Sequence, residues 1–298
     1  MSKKGVEKRH SETALFAALY RAVAYKDGKG PDYMAEYFLP AHFRFFVRFK
    51  KVRANVKRKS DKFTPGIYEY TLARTAFFDS VFVDGLKSDV PQIVLLGAGY
   101  DTRPYRFKEL NDKTEIFELD IATTQERKKK CLKKSRIEIP GNVSLVSIDF
   151  NRESLKEVLE KAGYTDQKKT LFLWEGVAYY LEAESIDATL EFVNRFSSKE
   201  SSIAFDYAVS ISEETINDYY GVKEFVETWS KYRSNEIFRF TIDESRIGSF
   251  LEQRGLKIVD HMNNEKIEEA YLSAEDGSST GRITGVFRFV LASIKSVE

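Results

Sequence analysis

From residue 92 onward the chain alternates between short apolar runs and longer stretches in which apolar residues recur every three or four positions. The runs are QIVLL (92–96), TEIFEL (114–119), VSLVSI (143–148), TLFLW (170–174) and SIAFDY (202–207), and helical spacing appears near 122–136, 152–162 and 184–197. Strands of a parallel sheet are covered on both faces, so they read as near-continuous apolar runs. Strand, helix, strand, repeated at this interval, predicts an α/β fold: a doubly wound, mostly parallel sheet of seven strands with helices on both faces. The stretch FRFTIDESRIGSFLEQRG predicts a helix closed by Gly255. The last two strands fall at 256–261 and 286–294 with no long helix between them. One can therefore pair antiparallel to the other at a sheet edge.

The first ninety residues carry a different pattern, mainly helical. Ser11 is placed to cap ETALFAALYRAVAY, which DGKGP (27–31) ends. A second helical region covers residues 32–59 with a break near Pro40, and a third runs from about Pro65 to Leu86. Residues 211–240 interrupt the later alternation with Tyr, Trp and charge, and read as an inserted helical lid. The expected organisation is an N-terminal helical region with part of the lid (1–90) and a core (91–298), together one compact unit.

Composition narrows the classes. Formal net charge is +1, which removes any global electrostatic case for nucleic acid. With one cysteine, Cys131, no intrachain disulfide forms. That cysteine sits in RKKKCLKKS with no histidine or second cysteine nearby, so no metal site is expected. The opening MSKKGVEKRHSE lacks the apolar segment of a secretory signal, and no apolar run approaches the ~20 residues a membrane helix needs. A cytoplasmic protein is the expectation. From Arg44 to Lys59 the segment FRFFVRFKKVRANVKRK sets eight basic residues and no acid among phenylalanines. It suits either an apolar helix face with a solvated basic side, or a surface for an anionic acceptor or membrane.

Candidate chemistry centres on PQIVLLGAGYDTRPYRF (91–107). Gly97 and Gly99 follow the first buried strand, where doubly wound sheets bind ligands and where glycine lets a ligand approach the backbone. A dinucleotide fold adds an acid about 20 positions later to hold ribose hydroxyls. Asp120 lies 21 residues past Gly99 and Glu118 lies 19 past it; either can serve, with Asp120 at the strand tip. The third small residue of GxGxxG, which permits close packing in a pyrophosphate-binding loop, is replaced by Thr102. This weighs against NAD or FAD and favours a nucleoside cofactor without phosphates, of which S-adenosylmethionine is one.

LGAGYDTRPYRF resembles the glycine loop of the leucine carboxyl methyltransferase family, a branch of the class I S-adenosylmethionine-dependent methyltransferases. Further stretches agree in order: ARTAFFD (73–79), FELD (117–120), SIDF (147–150), LWEGVAYYLEAES (173–185) and FRFTIDESRIGSFLEQRGLKIVDH (238–261). The resemblance implies a Rossmann-like methyltransferase core and S-adenosyl-L-methionine as cofactor. It implies that Arg74 holds the methionine carboxylate, Gly97 and Gly99 form the floor beneath the methionine and ribose, and Asp120 binds ribose. Asp149 and Phe150 would flank the adenine, although the family commonly has leucine at position 150. Glu175 would face the cofactor's ammonium or sulfonium end. Arg21 lies near a second arginine of some members but in a poorly matching stretch, and stays outside the site. Tyr179 replaces a common aliphatic residue and reads best as buried packing. His10, His42 and His261 fall outside these motifs, so no general base is apparent; a carboxylate acceptor, already ionised at neutral pH, needs none. The expected acceptor is a carboxylate of a small molecule or a protein, and the catalytic residues stay unassigned. A nicotinamide-dependent oxidoreductase and a non-catalytic adenosyl-ligand-binding protein are the alternatives.

Overall fold

The computed structural model describes residues 4–232, 238–274, 276 and 278–295. Seven strands form one sheet: β1 (Gln92–Leu96), β2 (Glu115–Asp120), β3 (Val143–Ser147), β4 (Thr170–Trp174), β5 (Ser202–Ala208), β6 (Leu256–Met262) and β7 (Phe287–Ile294). Their order is β3-β2-β1-β4-β5-β7-β6. The first five are parallel, and β7 runs antiparallel to both neighbours. β7 therefore lies inside the sheet and β6 is the edge. Between them runs a short helix, which the sequence pattern did not distinguish.

The helices are α1 (Lys4–Lys26), α2 (Ala41–Phe46), α3 (Lys50–Phe63), α4 (Ile67–Lys87), α5 (Arg103–Arg106), α6 (Ala122–Lys134), α7 (Leu155–Lys161), α8 (Ala183–Arg195), α9 (Val222–Tyr232), α10 (Ile247–Glu252) and α11 (Asn264–Tyr271). One expectation is corrected: α1 does not start at a Ser11 cap but continues through it from Lys4. Helical pattern begins there, but a cap side chain sets an end only when the backbone departs from helical angles. Gly255, at φ +74°, closes the segment after α10 as expected.

Strand alternation sorts the core. Val94, Leu96, Phe172, Trp174, Ile203 and Phe205 point to the layer shared with α7, α8 and α10, while Ile93, Leu95, Leu171, Leu173 and Ala204 point to α4, α9 and α11. Helices thus cover both faces. A third apolar group joins α1, the turn at Ala35–Phe38, Tyr100, Tyr105 and Leu132 of α6. It presses the N-terminal helices onto the segment after β1.

The described part of 211–240 holds a single 3-10 turn (Ile216–Asp218) and α9, joined by irregular chain; residues 233–237 lie outside the described residues. Phe225 of α9 is buried, and Thr228 Oγ1 donates to the Phe63 carbonyl at 2.5 Å. Phe238 packs on Tyr179, Tyr180 and Phe287, and Arg239 N–H donates to the Tyr179 carbonyl at 2.9 Å. This segment therefore sits over the chain that leaves β4.

Candidate active site

Strand order reverses between β1 and β4, and the region beyond their carboxyl ends is where such sheets bind ligands. Two loops enter it. The first is Gly97–Asp101 after β1. Gly97 has φ +72°, and a Cβ there would stand 2.5 Å from Val177 Cγ2. Backbone angle and packing both require glycine, and the contact seats the two loops on each other. Gly99 N–H donates to Asp120 Oδ2 at 2.7 Å, and Ile121 N–H donates to Asp120 Oδ1 at 2.7 Å. Asp120 thus ties the glycine loop to the tip of β2.

The second loop, Glu175–Val177, meets α4. Arg74 Nε donates to Glu175 Oε1 at 2.9 Å, and Glu175 Oε2 pairs with Arg103 Nη1 at 2.8 Å. Arg103, 1% exposed at the start of α5, also donates from Nε to Asp79 Oδ1 (2.9 Å) and from Nη1 to Asp101 Oδ2 (2.6 Å). Asp79 in turn accepts from Arg106 Nη1 at 2.8 Å and Nη2 at 2.6 Å. Behind this lies Asp206 of β5, fully buried, whose Oδ1 accepts from Gly176 N–H at 2.6 Å and whose Oδ2 accepts from the Tyr70 hydroxyl and lies 3.5 Å from Arg74 Nη1. Arg21 closes the far end, donating to the Tyr100 carbonyl at 2.8 Å and pairing with Asp32 at 3.3 Å. Charges alternate along the whole chain of contacts.

Burial pushes the Asp206 carboxyl up, opposed by Arg74 and the Gly176 N–H. Burial also raises Asp101, but the charges of Arg103, Lys128 and Arg21 and the Arg103 N–H together outweigh it and hold the acid below its usual value. The phenols of Tyr70 and Tyr179 lie well above their ordinary value, mainly through burial and then the nearby Asp206 charge, so both stay protonated. Arg103 Nη2 is buried without a hydrogen-bond partner. A buried guanidinium N–H without a partner is a donor left unused by the protein itself.

The structure brings Arg74 and Glu175 into direct contact, and likewise Gly99 and Asp120. Glu118 is buried elsewhere: its two oxygens accept from Lys128 Nζ (2.8 Å) and the Tyr105 hydroxyl (3.0 Å). Asp149 and Phe150 follow β3 next to the β2 tip, where Ile148 N–H donates to the Asp120 carbonyl at 2.9 Å. Asp149 Oδ1 caps the local turn at Asn151 N–H (3.1 Å), and Phe150 rests half-buried on the α7–α8 side of the core. Tyr179 is buried packing, with its hydroxyl 3.4 Å from Arg74 Nη1.

Sequence reasoning left out Asp79, Asp101, Arg103, Arg106, Asp206 and Arg21. Asp206 carried a signal: a carboxylate inside the buried run SIAFDYA. The acid–base run after the glycines was visible, but not its partners. Among the described residues, no group of three His, Cys, Asp or Glu side chains stands where it could hold a metal ion.

Five parallel strands, an antiparallel β7 set between β5 and β6, and a glycine loop after β1 make this a Rossmann-like methyltransferase fold. The chain belongs to the leucine carboxyl methyltransferase family, whose pattern matches residues 14–194. A Bacillus subtilis relative, named "Putative S-adenosyl-L-methionine-dependent methyltransferase YktD", is 32% identical over 204 residues, 68% of this chain and 66% of its own. A Mycolicibacterium paratuberculosis protein, named "Putative S-adenosyl-L-methionine-dependent methyltransferase", is 26% identical over 259 residues, covering 83% and 81% of the two chains. The chain thus spans just under two thirds of YktD's length. Among solved structures, a Thermobifida fusca protein described as a putative methyltransferase superposes with a TM-score of 0.56 at 12% identity over 94% of each chain, a likeness of fold.

Proposed function

We propose that this chain is an S-adenosyl-L-methionine-dependent O-methyltransferase acting on a carboxylate of a small molecule or a protein. The observation that carries the reading is the Arg74–Glu175 pair facing the glycine loop. A buried guanidinium and carboxylate side by side match the carboxylate and ammonium of an α-amino acid, the end that S-adenosylmethionine presents. The residues present fit this group. Arg74 and Glu175 would hold the amino-acid end, with the unpartnered Arg103 Nη2 as a further donor; Gly97 and Gly99 would underlie it, Asp120 would take the ribose, and Asp149 and Phe150 would border the adenine.

When bound, the cofactor supplies an electrophilic methyl group on a sulfonium. The protein's part is to align an acceptor oxygen behind that methyl and exclude water; such alignment can supply up to ~7–11 kcal/mol of the barrier. A carboxylate acceptor suits the site because no base stands ready. Tyr70 and Tyr179 are held protonated, both oxygens of Asp206 are engaged, His42 is exposed on α2, and His261 on β6 bonds the Tyr207 hydroxyl at 3.0 Å. The lid segments at 32–64 and 211–240 would shape the acceptor's pocket.

Calorimetry tests the cofactor. S-adenosylmethionine and S-adenosylhomocysteine should bind and NAD should not; NAD binding without an adenosylmethionine signal would end this reading in favour of an oxidoreductase. Labelled methyl transfer by the purified chain to the carboxylates of a cell extract separates an enzyme from a non-catalytic binder.

Asp120→Ala should weaken cofactor binding by about 1.5–3 kcal/mol, the worth of a charge-assisted hydrogen bond, in a protein that still folds. The aspartate is a strand-tip acid holding two loop N–H groups rather than a core residue. Unchanged affinity in folded Asp120→Ala would take the ribose role from it.

A further inference from the structure

The corner between α2 and α3 presents an arrangement that the cofactor site does not use. Phe43, Phe45, Phe46 and Phe49 are 42%, 53%, 49% and 50% exposed, and α2 has no buried residue. The rings form a group: Phe45 lies 5.6 Å from Phe46 and 5.5 Å from Phe49, edge to face. Arg48, Lys50 and Lys51 beside them in the chain, and Arg58 and Lys59 farther along α3, are exposed, and no acid occurs between Glu36 and Asp61.

This exposure is built into the corner. Val47 is buried at its base, and Arg53, itself buried, donates from Nη1 to the carbonyls of Val47 (3.1 Å) and Arg48 (2.9 Å) while its Nε pairs with Asp27 at 2.6 Å. That clamp fixes the chain reversal and holds the phenylalanines outward. Adjacent exposed rings are unfavourable in water and need a cover.

We propose that this corner docks the protein on an anionic lipid bilayer, the phenylalanines entering the headgroup–acyl boundary and the basic residues meeting the lipid charge. The combination of aromatic rings and lysine or arginine on one protruding face is the chemistry of interfacial binding. A second copy is a poor cover, because face-to-face contact would bring two unbalanced basic clusters together. Net charge of the whole chain is only +1, so the attraction is local to this face.

The test is co-sedimentation of the full chain with vesicles of phosphatidylcholine alone, or with about one third phosphatidylglycerol. Binding is expected on the anionic vesicles, weakening as salt is raised. Lys50→Glu/Lys51→Glu should lower the affinity by at least ~30-fold, taking roughly a factor of five per lost basic contact. Phe45→Ser/Phe46→Ser/Phe49→Ser should lower it at least tenfold, which is about the least expected from three rings leaving the bilayer. All five positions are exposed, and melting temperatures check that the variants fold. Independently, Phe46→Trp should emit at shorter wavelength than in buffer when anionic vesicles are added. Three results would overturn the proposal: no binding to anionic vesicles; binding abolished by the lysine variant but untouched by the phenylalanine variant, which marks a plain anion or acidic-protein surface; or a concentration-dependent dimer lost in the phenylalanine variant.

Discussion

Lys128→Met is expected to destabilise the protein by about 3–5 kcal/mol, the cost typical of removing one partner of a buried ion pair. Lys128 Nζ and Glu118 Oε1 are 2.8 Å apart with both side chains wholly buried. Methionine fills similar space but strands the carboxylate. Burial already pushes Glu118 above its usual value even with Lys128 opposing it, and without the lysine it rises further. The sign of the pH dependence follows. A carboxyl whose folded value is raised binds its proton more readily in the native state, so the variant's deficit is full above that raised value and shrinks as pH falls from it towards the ordinary glutamate range. Lys128→Met/Glu118→Gln, which removes both charges, should recover most of the loss. Urea unfolding of the three proteins at neutral and acid pH measures this. Equal deficits in the single and double variants would show that lost packing, not a stranded charge, is the cause.

Arg74→Ala should lower S-adenosylmethionine affinity by ~100-fold or more, and Arg74→Lys by ~10-fold, because a lysine keeps the charge but not the two-pronged geometry. Arg74 also contacts Glu175 and Asp206, so either substitution disturbs the unliganded site. The informative quantity is therefore a ratio within each variant: binding of adenosylmethionine against 5′-methylthioadenosine, which lacks the amino-acid end. Disturbance of the fold lowers both; loss of a carboxylate grip lowers only the first. A ratio equal to that of the wild type in both variants would make Arg74 part of the scaffold and remove the basis of the proposed cofactor pose.

The strands were legible because burial on both faces leaves a signature within five or six consecutive residues: β1 and β4 occupy the predicted 92–96 and 170–174. The ion-pair chain was not, since its members come from α1 and the turn after it, α4, α5, β5 and the loops after β1 and β4, and nothing local records that Asp79 meets Arg106. Motif resemblance picked out Arg74, Gly97, Gly99, Asp120 and Glu175, of which Arg74 meets Glu175 and Gly99 meets Asp120; their cofactor roles rest on the ligand measurements. Lys128 shows a middle case. In RKKKC nothing marks one lysine as special, yet Thr124, Lys128 and Leu132 repeat every four residues along one buried helix face. Its buried partner, Glu118, lies on a strand and leaves no local mark on the helix.

β7 follows both of its sheet neighbours in the chain, and this orders assembly in time. As the polypeptide is synthesised, β2 can join β1, β3 can join β2, β4 can join β1, and β5 can join β4, each finding a partner already made. β6 emerges with none, because its sole neighbour is β7. Topology thus allows a five-strand parallel platform to form first, with β6, α11 and β7 added later on the open side of β5. In such an order β5 would carry a row of unpaired backbone groups until β7 arrived, an open edge of the kind that templates aggregation.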